Sequence, residues 1–551
     1  MNCLLQPVVN ALWLASCRRS FEKFRQNSLR LRRTQEEHLH ELLKKNTNTL
    51  FGKNGSFSSI QSVDSYRSQV PLSRYEDYSP YLSEIGKGKK GILTEEEVLL
   101  FEPTSGSSSD SKLIPYTHSL KREFHHAINP WVYSLHKQFP ELKGGSSYWS
   151  LSPSMHKEST SGVVKIGFDS DSEYLGLCGK IAHGIVSSVP SSVARIQCID
   201  EFRLTTLAYL LADKNLRLIS VWSPTFLTVL IDYFMRHREK VLSRMSGIGL
   251  YGINKRVLEI DRLLSETSDL PLFQLIWPHL KVISCWTDGA SKEYALDLHK
   301  FFPNVHMQGK GLVATEAITS IPFLPDKSPA LAINSHFFEF KEMDSDKTWL
   351  ADELKVGASY NLVVTTAGGL YRYISDDIVR ISGYYNQIPL MDFMGKDNGV
   401  SDLTGEKLNP IQVGNVMALI RDKFSIMPSF SLLAPLKSSG SPPRYCLFLE
   451  GVELSATCIS KLLLTLDSEL SDNYHYQYSR RTGQLAAPCF FQIDSASGQA
   501  HESYQNRMIS LGVKAGDVKP SVLSSEEGWE KCFHGHMLAS EGEEDLLCHE
   551  N

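Results

Sequence analysis

The stretch LRLISVW, residues 216–222, is an apolar run with a single charge, and a helical pattern follows it over residues 225–239. Two similar runs, LKVISCW (280–286) and NLVVTT (361–366), occur later in the chain, and a second helical pattern covers Ser291–Phe301. Short apolar runs of this kind are typical of strands buried on both faces. Because they alternate with helical patterns, the sequence predicts an α/β fold in which sheets and helices form layers.

Composition changes near residues 395–402, where Gly, Asp and Asn are frequent, and this change predicts a domain boundary. Beyond it, apolar patterns predict helices at 410–424, 459–470 and 502–511, and strands in SFSLLAPL, RYCLFLEGV and CFFQI. We therefore expect a large N-terminal domain, residues 1–396, and a small mobile α+β domain, residues 397–551. Within the first domain, the Tyr-rich stretch 71–81 predicts a segment that crosses the surface.

Bulk properties exclude several classes of protein. The 551 residues are 42% hydrophobic and 22% charged, as in soluble globular proteins, and a net charge of −5 argues against nucleic acid or anionic membranes as partners. Ten cysteines without a CxxC pair favour free thiols in a reducing compartment. The apolar start of the chain lacks a basic n-region and leads into Arg18 and Arg19, unlike a secretory signal. We expect a cytoplasmic monomer.

The segment TSGSSSDSK, residues 104–112, follows the apolar run VLLF (98–101). Small residues let backbone N–H groups approach an anion closely, and a lysine at the end of the loop adds positive charge. This composition suits a loop that holds nucleotide phosphates. Runs of Ser and Gly are also common in linkers, so this segment alone leaves both interpretations open.

Two further segments place acidic residues beside predicted strands. In GKGLVATEA (309–317), Glu316 would be suited to bind Mg²⁺ and Thr315 to contact a phosphate, the alternative being an exposed acid after a capping threonine. In GGLYRYISDDIVRISGYY (368–385), a pair of aspartates would accept hydrogen bonds from ribose hydroxyls or would lie in a hairpin turn. A fourth segment, MGKDNGVSDLTGEKL (394–408), lies at the predicted boundary, where a charged linker is the alternative.

Together the four segments resemble the adenylate-forming superfamily, and most closely the GH3 family of acyl acid–amido synthetases. The resemblance extends from NTLFGKNGSFSSIQSVDSYRSQVPLSRYEDY (48–78) to VKP near residue 520. GLYRY, GEKL and the N-terminal stretch are its most specific parts. It implies a large adenylation domain followed by a small lid domain that moves between reaction steps.

The resemblance also implies roles for individual residues. TSGSSSDSK is similar to the family's phosphate loop without its second glycine, CWTDGA (285–290) to the segment that borders adenine, VATE to the second motif and YISDD to the third. The implied ATP-binding residues are Ser105, Gly106, Ser107, Ser108, Lys112, Gly289, Ala290, Thr315, Tyr373, Asp377 and Lys396. Glu316 would bind Mg²⁺.

Two positions depart from the family pattern. Asp376 occupies the glycine position of the third motif, next to Asp377, the expected ribose ligand, and two adjacent acids repel each other. Lys396 stands where arginine is commoner, and lysine does not reproduce the bidentate contacts of arginine. Asp397 would lie at the pivot between the domains.

The segment DVKP (517–520) resembles the part of the family that carries a mobile catalytic lysine, here Lys519. An ammonium group there would stabilise negative charge as an acid attacks the α-phosphate of ATP. The acyl site is expected between about residues 119 and 240, including WSPTF (222–226), where Trp222 and Phe226 would serve as ligand contacts or as core.

The resemblance implies a two-step reaction, in which a small carboxylic acid and Mg·ATP form an acyl-adenylate that an amino acid then attacks. A thiol or another amine as acceptor is the first alternative. The second is a non-catalytic nucleotide-binding relative, favoured by the aspartate at the glycine position and by the missing loop glycine.

Overall fold

A computed structural model describes residues 5–104, 112–150, 160–167, 184–196, 198–266, 272–289, 291–343, 345–396, 401–437, 442–494, 499–511, 513 and 518–538. The chain divides into two compact units. The first comprises Met1–Asp288, Lys292–Phe393 and Lys514–Asp517, and the second Gly289–Ser291, Met394–Val513 and Val518–Asn551.

Helices cover much of the chain before residue 302. Their bounds are Gln6–Asn27, Leu31–Lys45, Leu50–Asn54, Val63–Gln69, Tyr75–Gly86, His118–Gln138, Ile199–Ala212, Pro224–Arg236, Arg238–Ser246, Ile253–Glu266, Leu272–Ile276 and Ser291–Phe301. Among the helices that the structure describes, none combines the length and the apolar character needed to cross a membrane.

Strands accompany these helices and dominate the chain from residue 306 to residue 396. They are β1 (Leu100–Pro103), β2 (Leu113–Tyr116), β3 (Ser146–Trp149), β4 (Thr160–Ser161), β5 (Val164–Lys165), β6 (Leu216–Ser220), β7 (Val282–Cys285), β8 (His306–Gly309), β9 (Ser320–Ile321), β10 (Ala330–Leu331), β11 (Phe337–Lys341), β12 (Thr348–Trp349), β13 (Ser359–Thr365), β14 (Tyr373–Tyr385) and β15 (Ile388–Lys396).

Strands β3, β6, β7 and β8 form a parallel sheet in that order. Ile219 and Ile283 pack into the core on one face of this sheet, and Leu218 and Val282 join a smaller cluster. Burial on both faces explains why the two central strands, β6 and β7, lie in apolar runs of the sequence. The predicted α/β fold is confirmed.

A seven-stranded sheet with the order β12-β11-β13-β14-β15-β10-β9 forms the second layer of the first unit. Strands β11, β13 and β14 pair antiparallel and bring the segments 337–341, 359–365 and 373–385 side by side. The helix His118–Gln138 packs with this sheet in one core, in which Leu120 and Val364 are fully buried.

The second unit is an α+β arrangement. Its sheet has the order β16 (Phe430–Leu436), β17 (Arg444–Glu450), β18 (Cys489–Ile493) and β19 (Gly535–Leu538), with a parallel pair only between β17 and β18. Its helices are Pro410–Phe424, Ala456–Leu470, Tyr474–Arg481 and Ala500–Ser510. The first begins where the Asn409 side chain accepts a hydrogen bond from the Gln412 N–H, and Pro410 occupies the first helical turn.

The stretch 71–81, predicted to cross the surface, is exposed at six of its eleven residues, but it also places one tyrosine in the core. The helix Tyr75–Gly86 begins there, because the Asp77 carboxylate accepts a hydrogen bond from the backbone N–H of Arg74. Tyr78 is 1% exposed, and its hydroxyl contacts both the N–H and the carbonyl of Tyr371. Tyr78 is therefore part of the core, whereas Tyr75 and Tyr81 are only partly buried.

Candidate active site

The predicted phosphate loop connects two paired strands. Leu100 of β1 lies opposite Tyr116 of β2, and the Thr104 N–H donates to the Lys112 carbonyl at 2.8 Å, which closes the loop at its base. Ser105, Gly106, Ser107 and Ser108 lie outside the described residues. Lys112 is described, and its Nζ lies 3.4 Å from the Tyr373 hydroxyl.

The third motif lies inside a strand. The alternative interpretation, in which its two aspartates lie in a hairpin turn, is therefore wrong. Asn361 pairs with Ile378 and Val363 with Ile374, which leaves Ser375, Asp376 and Asp377 opposite one residue of β13. This is a bulge, and Asp376 adopts φ +63° within it. A left-handed backbone at this position explains why glycine would suit it.

The carboxylate of Asp376 is buried and carries compensating charge. Its Oδ1 lies 2.7 Å from Nη1 of Arg74, and its Oδ2 lies 3.9 Å from Nζ of Lys112. Two cations therefore offset the repulsion expected between Asp376 and Asp377. The pairing also joins the N-terminal stretch, the end of the phosphate loop and the third motif.

Tyr373 lies where three of the motifs meet. Its side chain is fully buried, and burial followed by the nearby charges of Glu316, Asp376 and Asp377 raises the pKa of its hydroxyl well above the usual value. The structure thus brings Lys112, Glu316 and Asp377 around one tyrosine, although they are far apart in sequence.

The second motif forms a tight turn. Val313 pairs with Ile318, and the Thr315 carbonyl accepts a hydrogen bond from the Tyr116 hydroxyl at 2.7 Å. Glu316 is only 9% exposed. The alternative interpretation of Glu316 as an exposed acid is therefore wrong. A buried carboxylate at a turn needs a cation or donors to offset its desolvation, which suits a cation-binding role.

The other predicted nucleotide residues occupy the following places. Gly289 has φ +55° and is exposed, and Ala290 and Asp397 lie outside the described residues. Lys396 is the last residue of β15. Lys519 is exposed in the second unit, and its carbonyl accepts a hydrogen bond from the Tyr504 hydroxyl at 3.1 Å. The roles of Gly289, Lys396 and Lys519 stay predictions.

Three family models match successive parts of this chain: the GH3 family N-terminal domain over residues 19–307, the central domain over 330–396 and the C-terminal domain over 413–528. The chain belongs to the GH3 family. The resemblance seen in the sequence motifs is therefore confirmed.

Characterised relatives of this GH3 protein cover most of its length. It is 23% identical to indole-3-acetic acid-amido synthetase GH3.2 of Arabidopsis thaliana, over 82% of this chain and 91% of the relative. It is 21% identical to 4-substituted benzoates-glutamate ligase GH3.12 of the same plant, over 89% and 92%. The structure of AtGH3.15 acyl acid amido synthetase in complex with 2,4-DB has the same fold, with a TM-score of 0.80 at 18% identity over 94% of this chain and 96% of that one.

GH3-family ligases adenylate an acid and conjugate it to an amino acid. The predicted enzyme class, an adenylate-forming ligase that uses ATP, is confirmed.

Two of the segments of this GH3 protein that are most specific to the family, GLYRY and the N-terminal stretch, pack against each other. Tyr371 of GLYRY is fully buried, stacks on Phe51 at 4.8 Å and donates a hydrogen bond to the Leu93 carbonyl. Arg372 forms two hydrogen bonds to Glu339, at 3.0 and 3.1 Å. These residues set the position of β14, which begins at the next residue, and so support Tyr373 and the aspartates indirectly.

A buried acid that the sequence motifs do not contain links two parts of this GH3 site. Glu123 contacts His38 at 2.9 Å and His336 at 2.8 Å, and it accepts a hydrogen bond from the Ala367 N–H. The other nitrogen of His336 accepts from Ile318 in the second-motif turn, so the His336 Nδ1 carries the proton. Burial alone would raise the pKa of Glu123, but the two histidines outweigh it and lower that pKa to about 2.

The sequence does carry a signal for Glu123. It lies three residues after Leu120 and four before Ala127, both of which are buried, on the apolar face of the helix His118–Gln138. A charged residue on such a face requires a buried partner. Its partners lie 85 and 213 residues away, which is why the pattern does not identify them.

Proposed function

We propose that this GH3-family ligase joins a small carboxylic acid to an amino acid, with ATP converted to AMP and pyrophosphate. The observation that carries the proposal is that the Tyr373 hydroxyl contacts Lys112 and is influenced by the charges of Glu316 and Asp377, which supports one site formed by a cation and two acids of three separate motifs. Cations suit the phosphates of ATP, and carboxylates suit a metal ion and ribose hydroxyls.

In the first step, a carboxylate oxygen of the acid attacks the α-phosphorus, and the bond to pyrophosphate breaks. Lys112 at the end of the phosphate loop binds phosphate oxygens, and Thr315 contacts them from the second-motif turn. Asp377 accepts hydrogen bonds from the ribose. Lys519 stabilises the negative charge that accumulates on the α-phosphate oxygens.

The described residues fit Mg²⁺ as a partner of ATP rather than as an independent protein site. No group of three or more His, Cys, Asp or Glu suited to a metal ion occurs in the described part of the chain. Mg²⁺ commonly takes only one or two protein carboxylates together with substrate phosphates. Glu316 is the residue we assign to it, and the ion would neutralise phosphate charge.

In the second step, the amino group of the amino acid attacks the acyl carbon, and AMP leaves. We propose that residues 397–551 act as a lid that changes position between the steps, as in other enzymes whose closure completes the site. The names of the relatives support small acids of the indole-acetate and benzoate type as substrates. We also propose a cytoplasmic monomer.

The reaction is tested by exchange of labelled pyrophosphate into ATP across a panel of acids, followed by mass-spectrometric detection of amides formed with pooled amino acids. We expect exchange with particular acids, a fall of at least 100-fold in Lys519→Ala, and amide products that contain one amino acid. Exchange without amide, but with a thioester when coenzyme A is added, would establish the thiol acceptor instead. ATP binding without exchange for any acid would favour the non-catalytic relative.

A further inference from the structure

A buried lysine outside the nucleotide motifs lies at one edge of the parallel sheet. Lys310 follows the last residue of β8 and is 3% exposed. Trp149 and Ser220 are the last residues of β3 and β6, and Trp222 lies two residues beyond Ser220. These residues therefore share the carboxyl edge of the sheet, which is where ligands bind in open α/β proteins.

The ammonium group of Lys310 is enclosed by indole rings. Its Nζ lies 4.9 Å from the ring centre of Trp222, 5.1 Å from that of Trp131 and 5.8 Å from that of Trp149. It donates a hydrogen bond to the Ser220 hydroxyl. The faces of indole rings attract cations, so the enclosure stabilises a positive charge without neutralising it.

A lysine buried for structural reasons alone is normally paired with a carboxylate. Within the described part of the chain no carboxylate forms an ion pair with the Lys310 ammonium, and the titratable group beside it is the thiol of Cys285, the last residue of β7. Burial raises the pKa of that thiol to about 12, so it stays neutral. The described surroundings thus leave a cation without an anionic counterpart, in a place suited to a ligand.

The lysine and the second-motif turn are linked to different points of the helix His118–Gln138. Trp131 and Phe124 are seven residues apart on the helix His118–Gln138, which corresponds to roughly 10 Å along its axis. Phe124 contacts Tyr116, whose hydroxyl donates to the Thr315 carbonyl, whereas Trp131 contacts the Lys310 ammonium. If the reacting carboxylate lies near Thr315, Lys310 meets the opposite end of the acid.

We propose that Lys310 determines the specificity of the acyl site, and that the acid carries a second anionic group at the end remote from its reacting carboxylate. This inference rests on the proposed function for the location of the reacting end. The indole rings of Trp131, Trp149 and Trp222 would contact the apolar body of the acid, and the ammonium would form an ion pair with its second carboxylate or ionised oxygen.

The experiment compares matched acids of equal length by quenching of intrinsic tryptophan fluorescence, since three of the eight tryptophans surround Lys310. Octanoate is compared with suberate, and 4-methylphenylacetate with 4-carboxyphenylacetate. We expect the full-length protein at pH 6.5 to bind each diacid at least tenfold more tightly than its monoacid. Lys310→Met should abolish this preference, and Lys310→Arg should retain part of it.

The pH profile distinguishes recognition from a packing role. Burial lowers the pKa of Lys310 to about 7, so the ammonium is present below that pH and is lost as the pH rises. The diacid preference should therefore fall by up to tenfold per pH unit above about 7 in the unmodified protein, and it should be independent of pH in Lys310→Arg. A packing role alone would produce no such profile.

Lys347→Met is the matched control, because Lys347 also lies over an indole ring, that of Trp349 at 3.8 Å, but is exposed. It should leave the diacid preference unchanged. Equal binding of diacids and monoacids by the unmodified protein, or a preference that persists in Lys310→Met with an unchanged melting temperature, would overturn the inference.

Pyrophosphate exchange is measured in parallel. A preference of exchange for diacids that is as large in Lys310→Met as in the unmodified protein would refute the role of Lys310 alone, whereas absence of exchange with every acid would refute the proposed function and not the binding result.

Discussion

Arg74 and Asp376 form an ion pair of 2.7 Å between residues 302 positions apart, at the point where the third motif departs from its family pattern. The aspartate side chain is 6% exposed, whereas that of the arginine is 54% exposed. An aspartate that replaces glycine in a left-handed conformation costs about 1 kcal/mol in backbone energy, and its buried charge must also be compensated. Arg74 and Lys112 supply that compensation, so the departure is accommodated by its surroundings.

Removing Arg74 should therefore lower the free energy of unfolding, because the buried charge of Asp376 loses its main compensation. We expect Arg74→Ala to lower the free energy of unfolding by about 1–2 kcal/mol, a value kept small because the arginine is largely solvated. Asp376→Gly should have little effect, since relief of the left-handed backbone offsets the lost ion pair. In the double variant the effect of Arg74→Ala should disappear. Urea unfolding of the four proteins gives the coupling energy, and additive effects would contradict the interpretation.

Replacing Lys112 should change the affinity for ATP more than the stability of the protein. Its side chain is one-quarter exposed, and its nearest acid, Asp376, already has Arg74 as a partner. We expect Lys112→Met to raise the KM for ATP about tenfold or more, with a melting temperature within a few degrees of the unmodified protein. Lys44→Met, at an exposed site in the helix Leu31–Lys45, is the control. Unchanged KM for ATP in Lys112→Met would remove this residue from the phosphate site.

Much of the fold can be predicted because the two central strands of the parallel sheet, β6 and β7, are mostly apolar. β6 occupies five of the seven residues in LRLISVW, and the helix Ser291–Phe301 has the predicted bounds. Within the stretch 71–81 the sequence does not predict which tyrosine is buried, because a tyrosine buried by tertiary hydrogen bonds resembles a surface tyrosine in the sequence. Tyr78 is such a case, as its partner Tyr371 lies 293 residues away.

The site is predictable where one segment contains the whole signal and not where distant segments assemble it. Thr315 and Glu316 are adjacent and form a recognisable motif. Arg74 and Lys310 have no such context: Lys310 lies between two glycines, and the indole rings around it come from a helix and from the ends of two strands. Only packing of the folded chain reveals what surrounds these two cations.

Glu123 should make the stability of the first unit depend on pH. Its folded pKa is about 2, below the ordinary value of 4.5, so its contribution is complete above about pH 4.5 and is lost as the pH falls towards 2. The shift corresponds to about 3 kcal/mol in total. Glu123→Gln should lower the unfolding midpoint at pH 7 and reduce its further decrease between pH 4.5 and pH 3. Denaturant unfolding across this range measures both, and equal slopes in the two proteins would contradict the assignment.

Glu123 should also act on the second-motif turn as a positioning residue, through His336. Glu123→Gln retains the size of the side chain but weakens its hold on the His336 ring, which accepts the Ile318 N–H. We expect kcat for pyrophosphate exchange to fall by about tenfold, with a smaller change in the KM for ATP, because the groups that bind ATP remain present but are less well oriented. A Glu96→Gln variant of the surface acid that caps the start of the same helix is the control. An equal loss in both variants would indicate a general effect on that helix.

Glu316 should set the requirement for Mg²⁺. It is the buried acid of the second-motif turn, and its charge acts on Tyr373 together with that of Asp377. Glu316→Gln retains the shape of the side chain but removes the charge that would attract the ion. We expect the Mg²⁺ concentration for half-maximal exchange to rise about tenfold or more, with partial recovery of the rate at high Mg²⁺. Glu342→Gln, an acid that contacts Trp349 outside the site, serves as control. A rate that falls in Glu316→Gln without any change in Mg²⁺ dependence would mean that Glu316 supports the turn through its hydrogen bonds and does not bind the ion.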